Sequence, residues 1–173
     1  MIAWLAIGSL VLLFAAGALT GAPYVPSHRR QVARALDELR PIGSYDLLVD
    51  IGSGDGLVLR LAAQRGAASY GIELNPVLVV ISRLLSRKYG AKVKVKWGDL
   101  YRSKFPDATT VVYVFGDSRD INRMYSKVQA EATRLNRTLD LISYGFEAAD
   151  AVSVSSAHGF KLYRVSPLQG PKA

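Results

Sequence analysis

The run Leu47-Leu48-Val49-Asp50-Ile51 passes directly into Gly52-Ser53-Gly54-Asp55-Gly56, and this stretch constrains the fold more than any other part of the chain. Apolar residues around a single acid suit a parallel strand covered on both faces. Glycines at alternate positions let backbone approach a ligand without Cβ obstruction. Leu57 to Ala63 has helical composition, so the pattern is strand, turn and helix, with the helix N-terminus facing a ligand. A dinucleotide fingerprint needs glycine at position 57, where this chain has leucine, and no Gly-Lys-Ser/Thr follows to form a P-loop. Asp50, at the strand's end, repels a pyrophosphate and attracts a cation.

S-adenosyl-L-methionine (SAM), with its ammonium and sulfonium, has the required charge. The stretch resembles motif I of class I SAM-dependent methyltransferases, and that resemblance implies that Gly52, Ser53, Gly54, Asp55 and Gly56 line the cofactor with Asp50. Ser69 to Pro76 reads as a second strand ended by an acid and an Asn-Pro break, with a helix over Val77 to Tyr89. Glu73 lies 23 residues after Asp50. In a βαβ unit, an acid about 20 residues beyond the glycine turn accepts the ribose hydroxyls. Leu74 and Asn75 flank that position. Lys92 to Trp97 alternates basic and apolar residues, as an edge strand protected against aggregation does. Asp99, followed by Leu100, matches the acid after the third strand that accepts the adenine amino group in class I methyltransferases.

Thr109 to Phe115 is the most continuous β-branched run and predicts the fourth, central strand beside the first. Asp117, leaving it, either orients an amine or caps the helix expected from about Arg119 to Asn136. Leu139 to Phe146 reads as a fifth strand, and Ala151 to Ser155 with Phe160 to Val165 as a hairpin turning at Ala157-His158-Gly159. The 145–150 connection is too short for a crossover helix. The expected fold is therefore α/β: a Rossmann-like class I methyltransferase with a mostly parallel seven-stranded sheet and a C-terminal antiparallel hairpin.

One transmembrane helix is expected to precede it. Ile2 to Leu19 carries no charge and approaches the roughly 20 residues that span a bilayer. A cleaved signal peptide is the competing reading, although no basic residue precedes the apolar stretch. Arg29, Arg30, Arg34 and Arg40 follow it, which places the later domain in the cytoplasm of a single-pass membrane protein. The expected parts are a helix over 1–20, a linker over 21–27, the domain over 28–165 and a loose tail over 166–173. His28 to Arg40 puts Val32, Ala35, Leu36 and Leu39 on one face of an amphipathic helix. The chain has no cysteine and only two, widely separated histidines, so no metal site is expected. Its formal charge of +8 suits an anionic membrane surface or acidic partner without invoking nucleic acid.

Pro23-Tyr24-Val25-Pro26-Ser27, read from physics alone, is a stiff linker. Together with the glycine turn and Gly71-Ile72-Glu73-Leu74-Asn75-Pro76, it resembles the protein-lysine methyltransferases that include the enzymes for the ATP synthase c-ring protein and the adenine nucleotide translocase. The resemblance implies that this segment covers the cofactor and substrate entrance, making Tyr24, Pro26 and Ser27 binding candidates. It also implies a membrane-associated protein substrate with an accessible lysine, whose amine meets a hydroxyl from Tyr24 or Tyr144. The chain departs from the family pattern after the fourth strand, and the Pro and Trp expected near the C-terminus are absent. Two other readings are methylation of a lipid, quinone or other small molecule, and a non-catalytic SAM-binding scaffold.

Overall fold

The computed structural model describes residues 28–115, 120–145, 147–148 and 151–168. A short helix, α1 (Arg29–Arg34), continues as a π-helical turn, Ala35–Leu39, and leads to β1 (Leu47–Ile51). Then come α2 (Leu57–Gln64), β2 (Ala68–Glu73), α3 (Pro76–Ser86), a 3-10 segment over Arg87–Lys92 and β3 (Val93–Trp97). The second half holds β4 (Val111–Phe115), α4 (Ile121–Leu135), β5 (Leu139–Tyr144), β6 (Ser155–Ala157) and β7 (Phe160–Val165).

The seven strands form one sheet in the order β3-β2-β1-β4-β5-β7-β6. The first five are mutually parallel, and β7 runs antiparallel to both β5 and β6. This is the expected methyltransferase sheet, with β4 beside β1 and β3 at an edge. Three expectations shift in detail. β4 begins at Val111 because Thr110 Oγ1 is drawn to Asp46 Oδ1 at 2.8 Å and Thr109 turns back to Pro106. The helix after β2 gives way to 3-10 geometry at Arg87, before Gly90 takes a φ of 57°. The first strand of the hairpin forms at Ser155–Ala157, later than predicted.

The membrane expectation is corrected. Among the described residues, no helix is long and apolar enough to cross a membrane. The longest, α4, has 15 residues against the roughly 20 a bilayer needs, and its outward face is charged. The single-pass placement with a cytoplasmic domain therefore has no support in the structure; the segment Ile2 to Leu19 lies outside the described residues.

Strand alternation divides the core between the two faces of the sheet. Leu48, Tyr113, Ile142 and Phe160 pack with Val32, Leu36, Val58 and Leu59 of the α1 and α2 side. Val49, Ile51, Val112, Val114 and Leu141 pack with Ile121, Met124, Val128 and Ala132 of α4. The first helical segment is pinned to β5 at both ends. Gln31 bonds Tyr144, while Arg40 Nε bonds Asp140 Oδ2 at 2.6 Å. It therefore runs antiparallel to β5, and the described chain enters at the carboxyl edge of the sheet, where ligands bind in open α/β folds.

At the opposite edge, Arg40 also bonds Asp46, whose carboxylate accepts from Gly43 N and Thr110 Oγ1. Burial pushes the Asp46 pKa up, but the Arg40, Gly43 and Thr110 bonds outweigh it and the net shift is downward. A carboxylate held below its unfolded value stabilises the fold above that value, and this contribution disappears as pH falls through the folded value. Arg40→Met should cost about 1–3 kcal/mol at neutral pH by urea unfolding, with the difference from wild type shrinking below about pH 4.

Candidate active site

Asp50 sits on β1 between Gly71 of β2 and Tyr113 of β4, and all three share the sheet face that α1 and α2 cover. Asp50 is 3% exposed. Burial, then the nearby Glu73 and Asp55 carboxylates, push its pKa well above the ordinary range. Three acids converging around an interior strand end favour a cation there.

The glycine turn is closed by its own neighbours. Gly52 N and Ser53 N both donate to Ile72 O, at 2.9 and 3.1 Å, and Gly56 N donates to Ser53 O at 2.8 Å. Gly54 N donates to Glu73 Oε2 at 2.8 Å, and Leu57 N to Asp55 Oδ1 at 3.0 Å. The N–H groups that could cradle a phosphate are thereby consumed inside the protein. A pyrophosphate would need them; a cation does not. The positive φ values at Gly52, Gly54 and Gly56 are what allow this closure. A Cβ on Gly56 would lie 2.1 Å from Ser82 Oγ, so α3 also packs directly onto the turn.

Glu73 is 8% exposed and carries a role the sequence did not announce. Its second oxygen, Oε1, accepts from Asn75 N at 2.7 Å, so one carboxylate ties the glycine turn to the end of β2. Each oxygen retains a lone pair for a ligand hydroxyl. Asn75 Oδ1 caps α3 by accepting from Val77 N at 2.9 Å. Asp55 pairs with Arg60 at 3.1 Å besides capping α2. Ser53 turns its buried Oγ toward β2, where a Cβ on Gly71 would meet it at 2.5 Å. Leu74 is half exposed, and its carbonyl accepts from Trp97 Nε1 at 2.9 Å. Asp99 accepts from Tyr101 N at 2.8 Å, and Leu100 packs partly on the α4-side core. Tyr24, Pro26, Ser27 and Asp117 lie outside the described residues.

An aromatic group occupies the β4–β5 side of the same edge. Phe115 pairs in register with Tyr144, and their rings stack with centroids 5.2 Å apart. Phe160 tilts against Tyr144 at 4.6 Å. The sequence flagged Tyr144 but not Phe115, Phe160 or Gln31. Gly71, a glycine inside a strand, was a readable sign of close backbone approach; Gln31 carried no signal. Among the described residues, no group of three or more His, Cys, Asp or Glu could hold a metal ion.

A family model described as the ANTKMT methyltransferase domain matches residues 50–154. The lysine N-methyltransferase of the ATP synthase c-ring protein from Xenopus laevis is 36% identical over 111 residues, 63% of this chain and 48% of that protein. The adenine nucleotide translocase lysine N-methyltransferase of Mus musculus is 37% identical over 112 residues, again 63% of this chain and 48% of that protein. The chain thus spans about half the length of the curated relatives it matches. Among solved structures, an RNA methyltransferase from Salinibacter ruber in complex with S-adenosyl-L-homocysteine aligns with a TM-score of 0.70 at 24% identity, covering 86% of this chain and 98% of that one. A geranyl diphosphate C-methyltransferase from Streptomyces coelicolor A3(2) aligns at 0.53 and 20% identity, covering 66% and 44%. These two likenesses establish the fold.

Because the folded chain raises the Asp50 pKa, its contribution to stability is complete below the unfolded value, about 4, and is lost as pH rises through the folded value. Asp50→Asn should therefore raise the melting temperature of the ligand-free protein at pH 7 by roughly 2–4 °C, the shift produced by about 1 kcal/mol in a chain this long. Scanning calorimetry should find that gain much reduced at pH 4.

Proposed function

The chain belongs to the ANTKMT methyltransferase-domain family, a group of class I SAM-dependent methyltransferases, and on that premise we propose that it transfers a methyl group from SAM to a lysine side chain of a protein. The observation that carries the reading is the acid-rich, phosphate-excluding turn: Asp50 and Glu73 flank glycines whose N–H groups are already occupied. The named targets of the relatives, the ATP synthase c-ring protein and the adenine nucleotide translocase, make a protein lysine the acceptor class to test first.

SAM supplies an electrophilic methyl group on a sulfonium. Asp50 draws the cationic end toward β1, Glu73 accepts the ribose hydroxyls at β2, and Asp99 receives the adenine amino group beyond β3. The acceptor amine arrives at the β4–β5 side, where it must lose its proton before its nitrogen can form the new bond. Aromatic surroundings favour the neutral amine by desolvating it. Positioning is the main contribution of the site, since a well-oriented pair of reactants needs little acid–base assistance.

Titration calorimetry should detect SAM binding to the purified chain, and Glu73→Ala should weaken it roughly ten- to hundredfold, about 1.5–3 kcal/mol for lost charge-assisted hydrogen bonds. Incubation with methyl-labelled SAM and extract from cells lacking the gene should then place label in protein as methyl-lysine. Label confined to organic-soluble material, or no SAM binding, would overturn the proposal.

A further inference from the structure

Tyr144 is fixed more firmly than packing alone requires. Phe115 stacks on its ring with an interplanar angle of 19°, Phe160 tilts against it, and a Cβ on Gly159 would lie only 3.3 Å from Cε2. Its hydroxyl reaches 113 residues back along the chain and donates to Oε1 of Gln31 at 3.0 Å. A phenol has one proton to give. With that proton committed to Gln31, the Tyr144 oxygen offers only lone pairs to any other partner. Whatever meets it must be a hydrogen-bond donor.

The placement suits an acceptor substrate. Asp50, Tyr113, Phe115, Ile142 and Tyr144 lie on one face of three neighbouring strands, by the register of β1 with β4 and β4 with β5. Adjacent strands lie about 4.8 Å apart, so Tyr144 stands two strands, roughly 10 Å, from the acid at β1. The acids occupy one side of the edge and the aromatic rings the other.

We infer that Gln31 is a positioning residue: by holding the Tyr144 proton, it turns that hydroxyl into an obligate acceptor that selects an N–H-bearing substrate and orients its amine. This rests on the methyltransferase reading above. An amine seated by an N–H···O bond keeps its lone pair on nitrogen. As the N–C bond forms, the C–S bond to the sulfonium breaks, S-adenosylhomocysteine leaves, and the extra proton on nitrogen passes to water. A carboxylate or phosphate acceptor has no proton to offer and meets only lone pairs.

The test compares wild type, Gln31→Met, Gln31→Glu, Tyr144→Phe and the Gln31→Met/Tyr144→Phe pair, using methyl-labelled SAM with extract of cells lacking the gene and counting methyl-lysine. Gln31→Met should lower turnover about tenfold, the scale of one lost hydrogen bond, with SAM affinity by calorimetry held within about twofold. Gln31→Glu, which still accepts the proton, should recover at least half of the lost rate. In the Tyr144→Phe background, Gln31→Met should have no further effect, since the pair then has no interaction left to lose. Equal turnover in Gln31→Met and wild type, or a full additional loss in the double variant, would overturn the inference while leaving lysine methylation standing. A wild type that forms no methyl-lysine would overturn the methyltransferase reading, and this inference with it.

Discussion

The carboxylate of Glu73 joins the two halves of the cofactor edge. One oxygen holds the backbone of Gly54 and the other that of Asn75, so the glycine turn, the end of β2 and the start of α3 share a single buried group. The arrangement is reinforced by Ile72 O, which receives two N–H groups from the turn, and by Gly71, whose missing side chain admits Ser53. A turn with three left-handed glycines is expensive to order. Here its conformation is set by β2 before any ligand arrives, which is how a flexible sequence becomes a preorganised site.

That preorganisation leaves an electrostatic imbalance. Asp50 is buried and faces two more acids, an arrangement that works against the ligand-free fold. Elsewhere the protein pairs its buried acids. Glu131, 4% exposed, accepts from Lys127, Arg134 and Phe105 N, and those bonds outweigh burial to hold its pKa down. The contrast separates an acid that serves the fold from one whose compensation must come from a bound cation.

Much of this was legible in the sequence because it depends on local chemistry. The break from Ile51 to Gly52, the acid at position 73 and the β-branched run through Val111 each declare their structure within a few residues. Strand order followed from the same signals, since parallel strands with helical crossovers admit few topologies. The bonds that shape the site were less visible. Nothing near Gln31 pointed to Tyr144, and nothing near Glu73 showed that its oxygens would meet Gly54 and Asn75 before any ribose. The π-helical turn at Ala35–Leu39 likewise escaped a periodicity reading that predicted regular helix throughout. The apolar N-terminal stretch was the clearest hydropathy signal of all, yet it led to a membrane placement that the described helices do not support.

The helix that leads into the domain is cut to the length of the strand beneath it. Its contacts at Gln31 and Arg40 are nine residues apart, about 13.5 Å at 1.5 Å per helical residue. Their partners on β5, Tyr144 and Asp140, are four residues apart, about 13 Å at 3.3 Å per strand residue. The two elements therefore form a matched ruler, with Ile142 between the fixed ends in the core that holds Val32 and Leu36. Inserting or deleting a single residue between positions 31 and 40 would rotate one end by about 100° relative to the other. Evolution can thus vary side chains along this helix freely, but it can change the helix's length only by sacrificing either the ion pair at the amino edge or the tyrosine at the site.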